Sequence, residues 1–418
     1  MSDPLRKGAA PRLGPRPLAL HLGTAASTWL NSLAVLPLLR SGLLPWRPEL
    51  AAAADELEQK LNGVDPEAFA AAVEVEIRRR LAALADGIKT YRHHPYRRAA
   101  ADPPAVWRAG STRLLDYGAV QSSARDGAPI LVVPSHINRG YVLDISRGRS
   151  LMRYLAGRGL RPFLVEWGRP GARERGFTLT DYIAGRLEAA LDTVRALSHR
   201  APAVIGYCMG GLLALALAQR RERDISGLVL LATPWDFHAN AKEAEQARAL
   251  ARAFEPLWPT IDRLGVVPVD VLQALFYALD PYLVARKFCA FATLDPASPK
   301  AEAFVALEDW LNDGVPLVAG VARECLAGWY GANTPARGAW RVAGQAVRPE
   351  SLTLPALVVI PERDRIVPPA SAAALAAAIP GADRSTPALG HIGMVVGSRA
   401  KTALWRPLAG WLKSAIPA

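Results

Sequence analysis

Residues 203–211 read Ala203-Val204-Ile205-Gly206-Tyr207-Cys208-Met209-Gly210-Gly211, and a helical apolar stretch, 212–221, follows directly. An apolar strand that runs into a glycine-flanked turn and out into a helix is the context of a nucleophile elbow, G-x-nucleophile-x-G. The glycines are required because a side chain at their positions would collide with the adjoining strand and helix. Cys208 occupies the nucleophile position. At a helix N-terminus the macrodipole favours a thiolate, and the backbone N–H of Met209 points toward an oxyanion. The competing reading is a buried structural cysteine in a Gly-rich turn.

Working outward, short apolar runs at 130–133, 162–165, 203–205, 228–231 and 356–360 alternate with helical stretches such as 180–197. Continuous apolar strands separated by helices predict an α/β fold with a mostly parallel, doubly wound sheet covered on both faces. Between Phe237 and Ser351 the strand signal gives way to a mostly helical, aromatic-rich insertion. An insertion there lies above the carboxyl ends of the strands, where ligands bind, and reads as a cap. Upstream, residues 1–48 contain many prolines and read as an arm. One helix then runs through Leu61, and a second starts with Asp65 as N-cap and Pro66 at the first helical position, ending near Ala85. Its Phe69, Val73, Ile77 and Leu81 form a stripe that needs a packing partner. The expected organisation is therefore an N-terminal arm and helical region over 1–100 and a catalytic domain over 101–418, with a cap insertion at about 238–350. No internal repeat is present.

A cysteine nucleophile needs a base, and the chain has 7 His. His21 lies in the arm, His93 and His94 are adjacent and face opposite ways, and His199 sits at a helix end. His136 and His238 follow strand ends and are candidates to line a pocket. His391, in Leu389-Gly390-His391-Ile392-Gly393, follows the last strand-like segment and fits the chain order nucleophile, acid, histidine. The acid belongs in the loop after 356–360, where Asp364 is the first choice and Glu362 the second. The second oxyanion donor belongs in the loop Val133-Pro134-Ser135-His136-Ile137-Asn138, most simply the N–H of Ile137. No Cys-x-x-Cys, His-x-x-x-His or tight acidic cluster predicts a metal site. Cys289 and Cys325 read as small buried hydrophobes.

Composition bounds the rest. The 418 residues are 51% hydrophobic and 21% charged, average for a globular protein, and 3 Cys are too few for a disulfide framework. Apolar runs such as 33–39 fall far short of a spanning helix, and residues 1–16, with Asp3, Lys7 and Pro11, lack a signal-peptide pattern. These features lead us to expect a cytoplasmic protein. The net charge of +12 is mostly arginine but forms no dense basic block with interleaved aromatics, so no nucleic-acid partner is expected.

Over residues 87–415 an ordered series of motifs resembles the bacterial polyhydroxyalkanoate (poly-3-hydroxybutyrate) synthases of the α/β-hydrolase superfamily. The motifs are Gly87-Ile88 with Tyr91, His94-Pro95 and Arg97; Pro134 to Asn138 with Tyr141-Val142-Leu143-Asp144; Glu166-Trp167-Gly168; Asp181-Tyr182-Ile183; the Cys208 elbow; Thr233-Pro234-Trp235-Asp236-Phe237; Trp310-Leu311-Asn312-Asp313; Tyr330 with Asn333; and Gly390-His391-Ile392-Gly393. The resemblance implies an α/β-hydrolase fold and a Cys208, Asp364, His391 triad that joins 3-hydroxyacyl groups from coenzyme A thioesters into polyester, with acyl-coenzyme A as substrate and no cofactor. It also implies a polyester granule surface and either a homodimer or a second synthase subunit as partners. Arg365 stands where the family has His after the acid, and Pro134-Ser135-His136 replaces a more hydrophobic run. A Cys-dependent hydrolase (thioesterase, polyester depolymerase or dienelactone-type) uses the same three groups, and a non-catalytic granule protein keeps only the fold.

Overall fold

The computed structural model describes residues 12–121 and 124–415. The first part of the expected arm, with Asp3, Lys7 and Pro11, lies outside the described residues. The chain divides into two compact units, residues 1–96 with 273–312, and residues 97–272 with 313–418.

The second unit is built on an eight-stranded sheet. Its strands are β1 (Ala105–Ala109), β2 (Thr112–Asp116), β3 (Ala128–Val133), β4 (Leu160–Glu166), β5 (Ala203–Tyr207), β6 (Gly227–Leu231), β7 (Ala356–Val359) and β8 (Asp383–Ser385). Their order is β1-β2-β4-β3-β5-β6-β7-β8, and every pairing is parallel except the two made by β2. The five expected strands are β3 to β7. They read clearly because β5, β6 and β7 are buried throughout and β3 and β4 nearly so, which makes them continuous apolar runs. The β1–β2 hairpin was not expected. It is an edge structure in which Arg108 and Arg113 alternate with apolar residues, and β1 is largely exposed. Because the strand order reverses around β3, with β4 on one side and β5 on the other, the crevice beyond their carboxyl ends is where a ligand site belongs.

The helical unit packs the helix Leu18–Ala34, the helix Pro66–His93 and the helices Leu283–Phe291 and Pro299–Asn312 around one apolar cluster, with Leu84, Ile88, Tyr91, Phe288 and Phe291 at its centre. Three expectations change here. Part of the proline-rich arm is a 17-residue helix with Ala25 in the core. The second predicted helix begins as expected, with Asp65 accepting the N–H of Ala68, but runs eight residues past Ala85 to His93. It continues because Gly87 is not a stop there: a side chain at that position would overlap the Phe288 carbonyl, so the glycine serves close helix packing. The expected cap at 238–350 is also divided, since 273–312 belongs to the helical unit while the flanking segments remain with the sheet. Among the described residues, no helix is long and apolar enough to cross a membrane.

Candidate active site

Strand β5 ends at Tyr207, and Cys208 follows with φ 56° and ψ −128°, ahead of the helix Met209–Arg220. A β-carbon-bearing residue with positive φ costs about 1–3 kcal/mol and persists only where its surroundings hold it. Two backbone bonds do so: the Cys208 N–H donates to Leu231 O at 2.9 Å, and Gly211 N–H donates to Cys208 O at 2.9 Å. The flanking glycines have definite neighbours. A side chain on Gly210 would overlap the carbonyl oxygens of Val133 and Pro134, and one on Gly206 or Gly211 would overlap the helix start or Thr233. The same contact brings the elbow against the loop after β3. Cys208 is partly exposed, and Met209, the first residue of the helix, has no intrahelical acceptor for its N–H.

Asp364 and His391 meet below this thiol. The Nδ1 of His391 lies 2.6 Å from Asp364 Oδ2, and both side chains are buried. Asp364 Oδ1 accepts the N–H groups of Ile366 and Val367, at 2.8 and 2.9 Å, so the carboxylate is fixed at both oxygens. Since an ionised carboxylate only accepts, Nδ1 donates its proton to Asp364 and the other ring nitrogen is the one left to titrate. The Cys208 sulfur acts electrostatically on the imidazole. Burial pulls the His391 pKa down, but the Cys208 charge and the bond to Asp364 outweigh it and raise the value. Tyr207 stabilises the histidine segment by donating its hydroxyl to His391 O at 3.2 Å. Glu362 and Arg365 are exposed, and Glu362 is not bonded to the imidazole.

The β3 loop is held by residues quoted above as motifs. Glu166 accepts the N–H groups of Gly140 and Gly168, at 3.1 and 3.2 Å, and Trp167 Nε1–H donates to Pro134 O at 3.1 Å. The structure engages the Ile137 N–H with the Ser135 hydroxyl at 3.3 Å, and Ile137 O accepts Val315 N–H at 3.3 Å. Service as an oxyanion donor requires that long Ser135 contact to give way. His136 is buried, stacked on Trp167 at 4.0 Å and edge-on to Tyr182 at 4.2 Å, and burial drives its pKa down to about 3. Among the described residues its Nε2 meets no protein partner, and His136 lines a cavity of about 10 Å³, roughly room for one water.

Sequence reasoning assigned no role to the pair Asp236 and Asn333. Asn333, at φ 52°, donates its amide to Asp236 Oδ1 at 2.8 Å and accepts Phe237 N–H at 3.0 Å, closing the π-helical segment Glu324–Gly331. That segment carries Tyr330, whose phenol is held above its ordinary pKa by burial and then by the charges of Cys208 and Cys325. Four of the other histidines bond to backbone: His21 to Arg16 O, His93 to Lys89 O, His94 to Pro296 O and His238 to Tyr330 O. Among the described residues, no group of three or more His, Cys, Asp or Glu is placed to hold a metal ion.

Comparison with known proteins agrees with the motifs. The chain is 29% identical over 311 residues to the poly(3-hydroxyalkanoate) polymerase subunit PhaC of Haloferax mediterranei, covering 73% of this chain and 62% of that one, so it spans less than two thirds of that relative. It is 29% identical over 291 residues to the subunit of the same name from Synechocystis, covering 68% of this chain and 77% of that one. With the Allochromatium vinosum subunit it shares 28% over 289 residues, 68% of this chain and 80% of that one. The family described as alpha/beta hydrolase fold matches residues 140–398, from the β3 loop past His391. By sheet order, elbow and this match, the chain belongs to the alpha/beta hydrolase fold family.

Proposed function

We propose that the chain is an acyltransferase that polymerises 3-hydroxyacyl groups from coenzyme A thioesters into polyester, with Cys208 as nucleophile, His391 as base and Asp364 as its positioning residue. The observation that carries the reading is a cysteine, not a serine, at the elbow beside an Asp-oriented imidazole. Relatives named as poly(3-hydroxyalkanoate) polymerase subunits support the substrate class.

A thiolate that attacks an acyl thioester exchanges one thioester for another at little free-energy cost, and the enzyme-bound acyl group stays activated. His391 takes the Cys208 proton, the thiolate adds to the acyl carbon, and His391 returns the proton to coenzyme A as the C–S bond breaks and coenzyme A leaves as thiol. The 3-hydroxyl of another hydroxyacyl unit then attacks the acyl-enzyme, giving its proton to His391, and an ester bond replaces the thioester. Asp364 keeps the ring in the tautomer that accepts at the nitrogen facing the thiol. The N–H of Met209, with that of Ile137 once released from Ser135, stabilises the oxyanion. The reading takes acyl-coenzyme A as substrate, needs no cofactor, and includes a granule surface and either a second copy or a second synthase subunit as partners.

Incubation with 3-hydroxybutyryl-coenzyme A tests it. Released thiol should appear together with high-mass polyester, if necessary only after a candidate second subunit is added. Free 3-hydroxy acid in one-to-one ratio with thiol, with and without candidate subunits, would identify a Cys-dependent hydrolase instead.

A further inference from the structure

Within the helical unit, a cavity of about 280 Å³ opens between three helices. Its size lies just below the ~300–1,000 Å³ of small-molecule sites. Ala25 and Trp29 come from Leu18–Ala34, Arg79 and Arg80 from Pro66–His93, and Ala285, Arg286 and Cys289 from Leu283–Phe291. The floor is apolar: Ala25 and Ala285 are buried in the unit's core cluster, and Trp29 packs on the same cluster. Small side chains at 25 and 285 leave the volume open between the helices.

The mouth is cationic. Among the described residues, three guanidinium groups line the cavity and no carboxylate does. Arg79 and Arg80 share one counter-ion outside it: Glu76 accepts from Arg79 Nε at 2.6 Å, Arg79 Nη2 at 2.7 Å and Arg80 Nε at 2.7 Å. A guanidinium has five N–H donors, so two of them on a single carboxylate keep unused donors. Arg286 pairs with Asp280 at 2.7 Å. An apolar floor beneath an excess of guanidinium charge matches a ligand with an apolar body and an anionic end.

We propose that this cavity binds a single-chain amphiphile with an anionic head, carboxylate or phosphate, its chain on Ala25, Trp29 and Ala285 and its head at Arg79, Arg80 and Arg286. The inference is independent of the acyl-transfer reading, and its test needs no turnover. Cys289 is partly exposed and bordered by the cavity, whereas Cys325 is buried. In full-length protein carrying Cys208→Ser, Cys289 is therefore the accessible thiol among the described cysteines. Its iodoacetamide alkylation rate is measured against dodecanoate, dodecyl phosphate and dodecanol, all below their micelle concentrations. We expect dodecanoate or dodecyl phosphate to protect Cys289 at least fivefold, with the better of the two identifying the head, and dodecanol to protect much less. Arg80→Gln and Arg286→Gln, both on exposed side chains, should each raise the half-protecting concentration about tenfold, and Arg80→Lys should recover part of it. Thermal midpoints of the same samples verify folding. No protection by either anion, equal protection by dodecanol, or unchanged half-protecting concentrations in folded glutamine variants would overturn the proposal.

Discussion

Replacing Asp364 by asparagine separates the chemistry of the proposed site from its stability. The carboxylate has three bonds: Oδ1 takes the N–H groups of Ile366 and Val367, and Oδ2 takes Nδ1–H of His391. Asparagine has nearly the same shape but one carbonyl oxygen. Leaving a buried donor without an acceptor costs about 1–3 kcal/mol, so turning that oxygen to the two backbone donors is favoured over serving the single imidazole N–H. The amide NH₂ then faces Nδ1, which must become an acceptor, and the ring proton moves to the nitrogen that has to receive the thiol proton. The protein should fold normally and lose roughly 10⁴-fold in kcat, the scale of a wrong-tautomer defect, equivalent to about 5.5 kcal/mol of barrier. Asp364→Ala strands both backbone donors as well, and should be about 2–4 kcal/mol less stable than Asp364→Asn. Glu362→Gln, on an exposed side chain, should leave turnover within about twofold. Initial rates of thiol release from 3-hydroxybutyryl-coenzyme A and urea denaturation measure both quantities. If Asp364→Asn keeps more than about a tenth of the rate, or Glu362→Gln loses more than it does, the orienting role of Asp364 is refuted.

Three further outcomes follow from the geometry. Cys208→Ala should abolish thiol release with the fold intact and lower the His391 pKa, because burial stays while the largest raising influence goes; an unchanged value in the NMR titration of the ring would contradict the pairing. Gly210→Ala, whose methyl group would overlap the Val133 and Pro134 carbonyls, should cost about 2 kcal/mol or more in urea denaturation, and an unshifted midpoint would show that the β3 loop yields freely. His136 has a folded-state pKa of about 3 against ~6.5 unfolded, so the unfolded chain binds the extra proton in between. Stability is full above about pH 6.5 and falls as pH drops toward 3, by up to about 1.4 kcal/mol per unit; His136→Phe should remove that component, and identical slopes in the two proteins would exclude it.

The sheet was legible because burial on both faces makes β3 to β7 continuous apolar runs, and the elbow because its glycines answer to backbone neighbours of fixed position. The β1–β2 hairpin was hidden by its exposure: at a solvated edge, arginines alternate with apolar residues and no run forms. The helix Leu18–Ala34 was masked by the prolines around it, although Pro17 only precedes the first turn. That Asp364 and His391 pair could be read from chain order. The contact of the Ile137 N–H with the Ser135 hydroxyl could not, because a local acceptor two residues away leaves no mark on strand patterns. The Asp236–Asn333 clasp joins residues 97 apart and depends on a positive φ at an asparagine, neither of which leaves a periodic trace.

The division of the expected cap has a consequence for how such a chain can change. Leu317 and Val318 pair antiparallel with Val267 and Val266, so the sheet-bearing unit itself ties together the two strands of chain that lead to and from residues 273–312. With the ends pinned by that ribbon, the loop-closure cost of whatever lies between them grows only as the logarithm of its length. The helices at 283–312 are in this sense a cassette. A longer or shorter segment can be carried between the ribbon strands at little closure cost to the sheet-bearing unit, provided it keeps the face around Phe288 and Phe291 that completes the helical unit's core.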